Sequence, residues 1–252
     1  MSCVFCSFPL LLALLAGLST TIGGLIAFFI KKTKFSYLCI AFGFSAGVMI
    51  FISFTELLKQ GIESTNIFTA TLSFFGGILL IYLIDVLIPH TYKEEHTERK
   101  GKIKRTAILL VLGITIHNFP EGIMVMFSSI TNLRLGILIA LAVALHNIPE
   151  GIAVSLPVFY ATKNRKKAFY YSFLSGIAEP IGAVLSYLFL YQFLNEFILG
   201  VILSAVAGIM IFISFDELLP YVYKQREGHN QHLSMLGMFL GMFVIALTLI
   251  IF

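Results

Sequence analysis

KRTAILLVLGITIHNFPEG at residues 104–122 and LGILIALAVALHNIPEG at 135–151 decide how this chain folds. Both are apolar runs that end on nearly the same hexapeptide, His117-Asn118-Phe119-Pro120-Glu121-Gly122 and His146-Asn147-Ile148-Pro149-Glu150-Gly151. Each hexapeptide sets an imidazole and a carboxylate four residues apart, so on a helix both project from one face. Proline removes a helical donor in each copy: Pro120 frees the carbonyl of Ile116, and Pro149 frees that of Leu145. Ionisable groups are costly inside a membrane and usually line a cavity or an ion path there. Two such faces, on helices joined by a short turn, make a metal site between them.

The rest of the chain agrees with a membrane setting. Its 252 residues would suffice for one or two soluble domains, but 58% are hydrophobic and 12% charged, against roughly 25% charged in a typical soluble protein. Mean hydropathy is +0.95. Apolar runs of about 17 to 25 residues recur, each long enough to cross a hydrocarbon core about 30 Å thick. Strand-like alternation is absent, which leaves helices to satisfy the backbone in lipid. The expected fold is an all-α polytopic membrane protein.

Eight spans are expected, at about 7–30, 36–58, 67–88, 105–128, 134–158, 166–192, 197–220 and 232–252. The joins after the odd-numbered spans hold Lys31, Lys32 and Lys34; Lys93, Arg99, Lys100, Lys102, Lys104 and Arg105; Lys163, Arg165, Lys166 and Lys167; and Lys224 and Arg226. That is 15 of the 17 basic residues, with only Lys59 and Arg134 on the other side. The positive-inside rule puts the odd-numbered joins in the cytoplasm and both termini outside. The net charge of +4 is therefore a topology signal, and basic residues scattered over short loops argue against nucleic acid as a partner. Residues 1–25 have no basic start, and a seven-span remainder would split the termini between the two sides, so a retained first helix is expected. Cys3 and Cys6 have C-x-x-C spacing but no second pair, and read as small residues at a helix start. His90, His96, His229 and His232 read as solvated residues of cytoplasmic joins.

An internal repeat organises the spans. AGVMIFISFTELL at 46–58 matches AGIMIFISFDELL at 207–219 at all but two positions. The second and seventh spans are five positions apart, an odd number, so the copies cross in opposite directions, as inverted repeats of transporters do. A weaker echo aligns Gly17, Ile22 and Gly23 with Gly176, Ile181 and Gly182, and sets Thr20 opposite Glu179. Residues 1–252 thus form one transmembrane domain in a 3+2+3 arrangement, with repeats at about 7–88 and 166–252 flanking central helices at about 105–158.

His117, Glu121, His146 and Glu150 give two nitrogens and two carboxylates, a set suited to zinc and acceptable to ferrous iron, manganese, cobalt or cadmium. Asn118 and Asn147 add amide oxygens beside the histidines. Glu179, between Gly176 and Pro180, could close a second metal position with Glu121 and Glu150 bridging. Three carboxylates with no nearby Lys or Arg on these spans repel one another, so an empty site takes up protons and metal entry expels them. Gly122 and Gly151 let the helices approach closely.

These residues make the chain resemble the ZIP (Zrt-, Irt-like) family of divalent-metal transporters. The likeness is carried by the segments at 104–122 and 135–151, by SGIAEP at 175–180 and by AGIMIFISFDELLP at 207–220, and it spans essentially the whole chain. It implies eight helices in a three-two-three order and a binuclear site on the fourth, fifth and sixth. His117, Glu121, His146 and Glu150 would form the main site; Asn118, Asn147 and Glu179 would add the second, with Glu121 and Glu150 bridging. Some relatives hold Asp or Gln where Asn147 or His146 stands here. The resemblance further implies import of metal to the cytoplasm across a bacterial plasma membrane, by alternating access and with no prosthetic group. It places Asp216 and Glu217 at the inner end of the path and Glu56 symmetrically near the outer end of helix two; Asp85 reads as structural. Expected partners are divalent metal ions and the lipid bilayer, with a homodimer as the candidate assembly. A membrane metalloenzyme would need a metal-bound water as nucleophile, and the inverted repeat and the absence of H-E-x-x-H argue against it. A sensor would need a soluble domain to pass its signal on.

Overall fold

A computed structural model describes residues 4–29, 35–87, 111, 115, 118–193, 195–220 and 228–251. Cys3, His90, His96, His117, most of the first half of the fourth expected span, and the basic residues at 31–34, 93–105 and 224–226 lie outside them. Every regular element among the described residues is helical. Helix α1 is Val4–Phe29 and α2 is Phe35–Ile52, which passes through a π turn at Ser53–Leu57 into α3, Leu58–Ser64; α4 is Ile67–Leu87. Residues 118–131 form α5. Then come α6, Leu133–Thr162; α7, Arg165–Leu190; α8, Glu196–Ile213, ending in a second π turn at Ser214–Leu218; and α9, Gly228–Ile251.

Seven of the described stretches are long and apolar enough to cross a bilayer, and α5 falls on the C-terminal part of the expected fourth span. The chain is a polytopic helical membrane protein. Observed boundaries differ from the expected ones most plainly at the second, fifth and last spans, α6 running past 158 to Thr162. The second span ends at 58 by polarity, yet the helix runs on through Lys59, Gln60 and Glu63 to Ser64, because polar side chains mark the exit from lipid and not the end of a helix. For the same reason His229 and His232 stand in the first turns of α9, not in the join before it.

Asparagines open the helices. Asn66 Oδ1 accepts the Thr69 N–H at 2.9 Å, Asn132 Oδ1 the Leu135 N–H at 3.2 Å, Asn164 Oδ1 the Lys167 N–H at 3.1 Å and Asn195 Oδ1 the Ile198 N–H at 2.8 Å. Each satisfies a donor that a helix start leaves over. Asn132 is the one non-helical residue between α5 and α6, which gives the short turn required of the two hexapeptide helices. α6 closes at Lys163 with φ 53°, in the left-handed region. Arg134 and Lys163 thus stand at opposite ends of one helix. The guanidinium of Arg165 lies 5.9 Å from the Phe28 ring and 5.5 Å from that of Phe159, fastening the ends of α1 and α6 to the start of α7.

The helices pack in two groups. One holds α1, α5, α6 and α7; the other pairs α2 with α9 and α4 with α8, and the groups meet chiefly where α2 lies on α6. Only 17% of the apolar window in α4 and 22% of that in α9 is buried, against 65% in α6 and 67% in α8, so α4 and α9 are the peripheral helices. Phe68, Leu72, Phe75, Phe239 and Phe243 stand exposed on them, where lipid replaces water.

Glycines set the close contacts, and they do so in matching pairs. A Cβ on Gly47 would strike the Met238 carbonyl and one on Gly241 that of Phe44; a Cβ on Gly208 would strike the Phe74 carbonyl and one on Gly77 that of Ala205. Under the match of 46–58 to 207–219, these are the same two contacts made once by α2 with α9 and once by α8 with α4. The π turns also correspond: Leu58 N–H bonds Ser53 O and Leu219 N–H bonds Ser214 O. In each copy the serine hydroxyl returns to the carbonyl four residues back, at 2.7 Å on Met49 and 2.8 Å on Met210, which loosens the helix there.

Candidate metal site

Proline, glycine and asparagine shape the ground on which the charged groups stand. Gly23 abuts the Ile148 carbonyl and Gly182 that of Phe119; Gly151 abuts the Thr20 carbonyl and Gly122 that of Glu179; Gly17 and Gly176 abut each other's carbonyls. Position by position, α1 meets α6 as α7 meets α5, with Gly17 and Gly176 at the crossing. The weak echo between spans one and six is therefore a set of equivalent contacts. Pro180 leaves the Gly176 carbonyl without its helical donor at that crossing.

On this frame the ionisable groups are deeply buried: Glu121 is 1% exposed, Glu150 1%, Glu179 0% and His146 0%. His146 Nε2 lies 2.9 Å from Glu121 Oε1, which joins the two hexapeptides across α5 and α6. With its hydrogen on Nε2 the imidazole donates to the carboxylate. Asn147 Nδ2 donates to the Ala16 carbonyl at 3.0 Å and also to Glu179 Oε1. Asn118 Nδ2 donates to the Ser175 carbonyl at 3.1 Å. Ala16 and Ser175 are equivalent in the alignment of Gly17 with Gly176, so the two asparagines do the same thing in the two halves. Their amide oxygens are buried and have no hydrogen-bond partner among the described residues. The Ser45 hydroxyl of α2 reaches the His146 carbonyl at 3.4 Å, where one helix group meets the other.

Among the described residues, no three His, Cys, Asp or Glu side chains converge as metal ligands. His117 lies outside those residues, and the structure pairs Glu121 with His146 and Glu179 with Asn147. Glu150 is buried one residue before the Gly151–Thr20 contact. Of the path residues, Glu56 is half-buried beside a cavity of about 270 Å³ lined also by Gln60, Asn132 and Arg134. That cavity brings the ends of α3 and α6 that bear Lys59 and Arg134 together. Asp216 is exposed in the second π turn; the side chains of Glu217 and Asp85 lie outside the described ones.

Sequence reasoning assigned no role to the Ala16 carbonyl, Ser45, Ser172 or Ser175. A lone small residue on an apolar helix carries no pattern, and a backbone carbonyl carries no residue type. Only Thr20 had a signal, its place opposite Glu179.

Comparison with known proteins agrees with the residues. The ZIP Zinc transporter family matches residues 89–249. The chain is 47% identical to the zinc transporter ZupT of Clostridium perfringens over 96% of its own length and 95% of the relative's. It is 48% identical to the zinc transporter ZupT of Akkermansia muciniphila over 95% and 96%, and 46% to that of Streptococcus mutans over 96% of each. A match across well over half the chain, and near half the residues shared with relatives end to end, make this chain a member of the ZIP family.

Proposed function

We propose that this protein imports divalent transition-metal ions, zinc foremost, across a bacterial plasma membrane into the cytoplasm. The observation that carries this reading is the buried His146–Glu121 pair on adjacent membrane helices, with Glu150 and Glu179 buried on the same helix group. Relatives of nearly half identity are named zinc transporters. Nitrogen and carboxylate donors suit zinc and accept ferrous iron, manganese, cobalt and cadmium. The metal is cargo, and no prosthetic group or catalytic step enters.

The main site consists of His117, Glu121, His146 and Glu150. Asn118, Asn147 and Glu179 add a second position, with Glu121 and Glu150 bridging. A cation entering between His146 and Glu121 takes Nε2, so the neutral imidazole carries its hydrogen on Nδ1, and any proton held by the buried carboxyl groups is released. Alternating access follows if the group of α1, α5, α6 and α7 slides along α2, past the Ser45–His146 contact. Glu56 stands near the outer entrance, and Asp216 and Glu217 stand near the inner exit; both termini lie outside. The domain is a pair of inverted repeats around the hexapeptide helices, and the candidate assembly is a homodimer.

The test is zinc flux into liposomes holding the purified protein, beside His146→Ala, with a pH dye inside. Flux that is lost in the variant supports transport through the central site, and the dye reports whether protons move with the metal. Tight zinc binding without flux would overturn the reading in favour of an enzyme or a sensor.

A further inference from the structure

Threonines in these helices return their hydroxyls to the carbonyl four residues back: Thr55 to Phe51, Thr115 to Val111, Thr162 to Val158 and Thr248 to Val244, at 2.7 to 2.9 Å. Thr20 does not. Thr20 is 0% exposed, and its Oγ1 is buried with no hydrogen-bond partner among the described residues. The cause is local. The carbonyl Thr20 would use, that of Ala16, is already taken by Ser19 Oγ at 2.6 Å and Asn147 Nδ2 at 3.0 Å. One asparagine of the hexapeptide pair therefore releases the Thr20 hydroxyl from the backbone.

The other half shows what such a position is for. There Asn118 takes the Ser175 carbonyl, and the residue four places on is Glu179. A Cβ built on Gly176 would lie 3.1 Å from Thr20 Cβ, and one on Gly17 would lie 3.3 Å from Glu179 Cβ. Thr20 and Glu179 thus flank the Gly17–Gly176 crossing at equivalent places. The Thr20 backbone is held on both sides, its carbonyl accepting from Ser172 Oγ at 2.8 Å and abutting Gly151, the neighbour of Glu150. An unpaired buried hydroxyl has a real cost, which a ligand would remove.

We propose that Thr20 Oγ1 is a further oxygen ligand of the transported divalent cation, the neutral counterpart on α1 of Glu179 on α7. This rests on the transport reading above. A hydroxyl adds lone pairs without a fourth buried charge. It favours entry of the cation without holding it too tightly to leave, the balance any conducting site must strike.

Zinc and cadmium flux are measured in liposomes for Thr20→Val, Thr20→Ser and Thr248→Val, beside His146→Ala. Thr20→Val should raise the half-saturating zinc concentration about two- to tenfold, the factor one hydrogen-bonding group commands. Thr20→Ser, which keeps the hydroxyl, should recover most of what Thr20→Val loses, and Thr248→Val should stay near the parent. Thr20→Cys, made with Cys3, Cys6 and Cys39 changed to Ser, supplies a readout that packing alone does not move. A thiolate prefers the softer cadmium, so the half-saturation of cadmium relative to zinc should fall, and cadmium added in detergent should give a thiolate charge-transfer band absent from the background protein. A folded Thr20→Cys variant with no band and an unchanged ratio overturns the proposal, whatever Thr20→Val does. Flux that survives His146→Ala removes the central site itself and this ligand with it.

Discussion

Gly122→Ala tests how closely the hexapeptide helices must approach. Gly122 follows Glu121 on α5, and a methyl group on it would sit on the carbonyl oxygen of Glu179 in α7, 2.8 Å from the Glu179 Cα. Both obstacles are backbone, so no rotamer change relieves them. Ordinary carbon contacts begin at about 3.5 Å, and the carbonyl carbon and oxygen stand nearer than the Cα, so the helices must part by about 1 Å. The Asn118–Ser175 hydrogen bond, now 3.1 Å, would then open, and Glu121 would move relative to His146. Overpacking costs about 1–3 kcal/mol and the lost hydrogen bond about 1 kcal/mol. Alanine returns about 1 kcal/mol of helix propensity. The net expectation is a loss of about 1–3 kcal/mol by that bookkeeping.

The effect on function should be larger than the effect on stability. A displacement of 1 Å at a working site can cost about 100-fold in rate, and zinc flux per reconstituted molecule should fall at least about tenfold. Gly76 provides the control, because nothing lies within 4 Å of a Cβ built there. Gly76→Ala should keep full flux and gain about 0.5–1 kcal/mol from propensity alone. The assay pairs liposome flux with thermal unfolding in detergent. Full flux and an unchanged melting midpoint in Gly122→Ala would refute the close α5–α7 contact on which the site geometry depends.

Other substitutions probe separate links. Glu150→Ala should abolish zinc flux while the protein still folds and accumulates, since on the proposed reading one carboxylate serves both metal positions; robust uptake would take Glu150 out of the mechanism. Asn147→Asp replaces the donor that now holds Glu179 Oε1 with a second carboxylate. It should shift the ratio of zinc to iron uptake, and an unchanged ratio would count against a selectivity role. Asn195→Ala removes the acceptor for the Ile198 N–H at the start of α8. It should cost about 1 kcal/mol with flux unaltered, and a flux loss without a melting shift would contradict a purely capping role.

How much of this was legible beforehand depends on the physics of each feature. Helix existence followed from the lengths of the apolar runs, because a bilayer imposes a minimum span on any sequence within it. The pairing of Glu121 with His146 followed from duplication, since two i, i+4 faces on helices joined at Asn132 have little choice but to meet. The π turns at Ser53–Leu57 and Ser214–Leu218 were not legible. Their register depends on a serine hydroxyl competing for a backbone carbonyl, and serine is common on membrane helices without that effect. The roles of the Ala16 and Ser175 carbonyls were invisible for a plainer reason: the Asn147 and Asn118 amides find them across helices far apart in the chain.

The departures from equivalence between the two halves are the more informative part of the arrangement. Each asparagine of the hexapeptides binds a carbonyl on the opposing helix, each following glycine abuts a carbonyl four residues on, and Gly17 and Gly176 meet at the centre. Packing of this kind can be duplicated freely, because backbone contacts do not depend on side-chain charge. The residue beside it cannot. Two glutamates at the Thr20 and Glu179 places would set a pair of like charges across one glycine crossing, together with Glu121 and Glu150, in a medium that screens them poorly. Threonine on one side and glutamate on the other keeps the shared backbone geometry while halving the charge at that crossing. The asymmetry also gives the cation a lopsided field inside a nearly symmetric frame. If the two faces were electrically equal, nothing in the packing would favour one helix wall over the other; with Glu179 on α7 and a hydroxyl on α1, an ion held as proposed would be drawn toward the α5–α7 side, where the Asn118 amide oxygen is buried with no hydrogen-bond partner among the described residues.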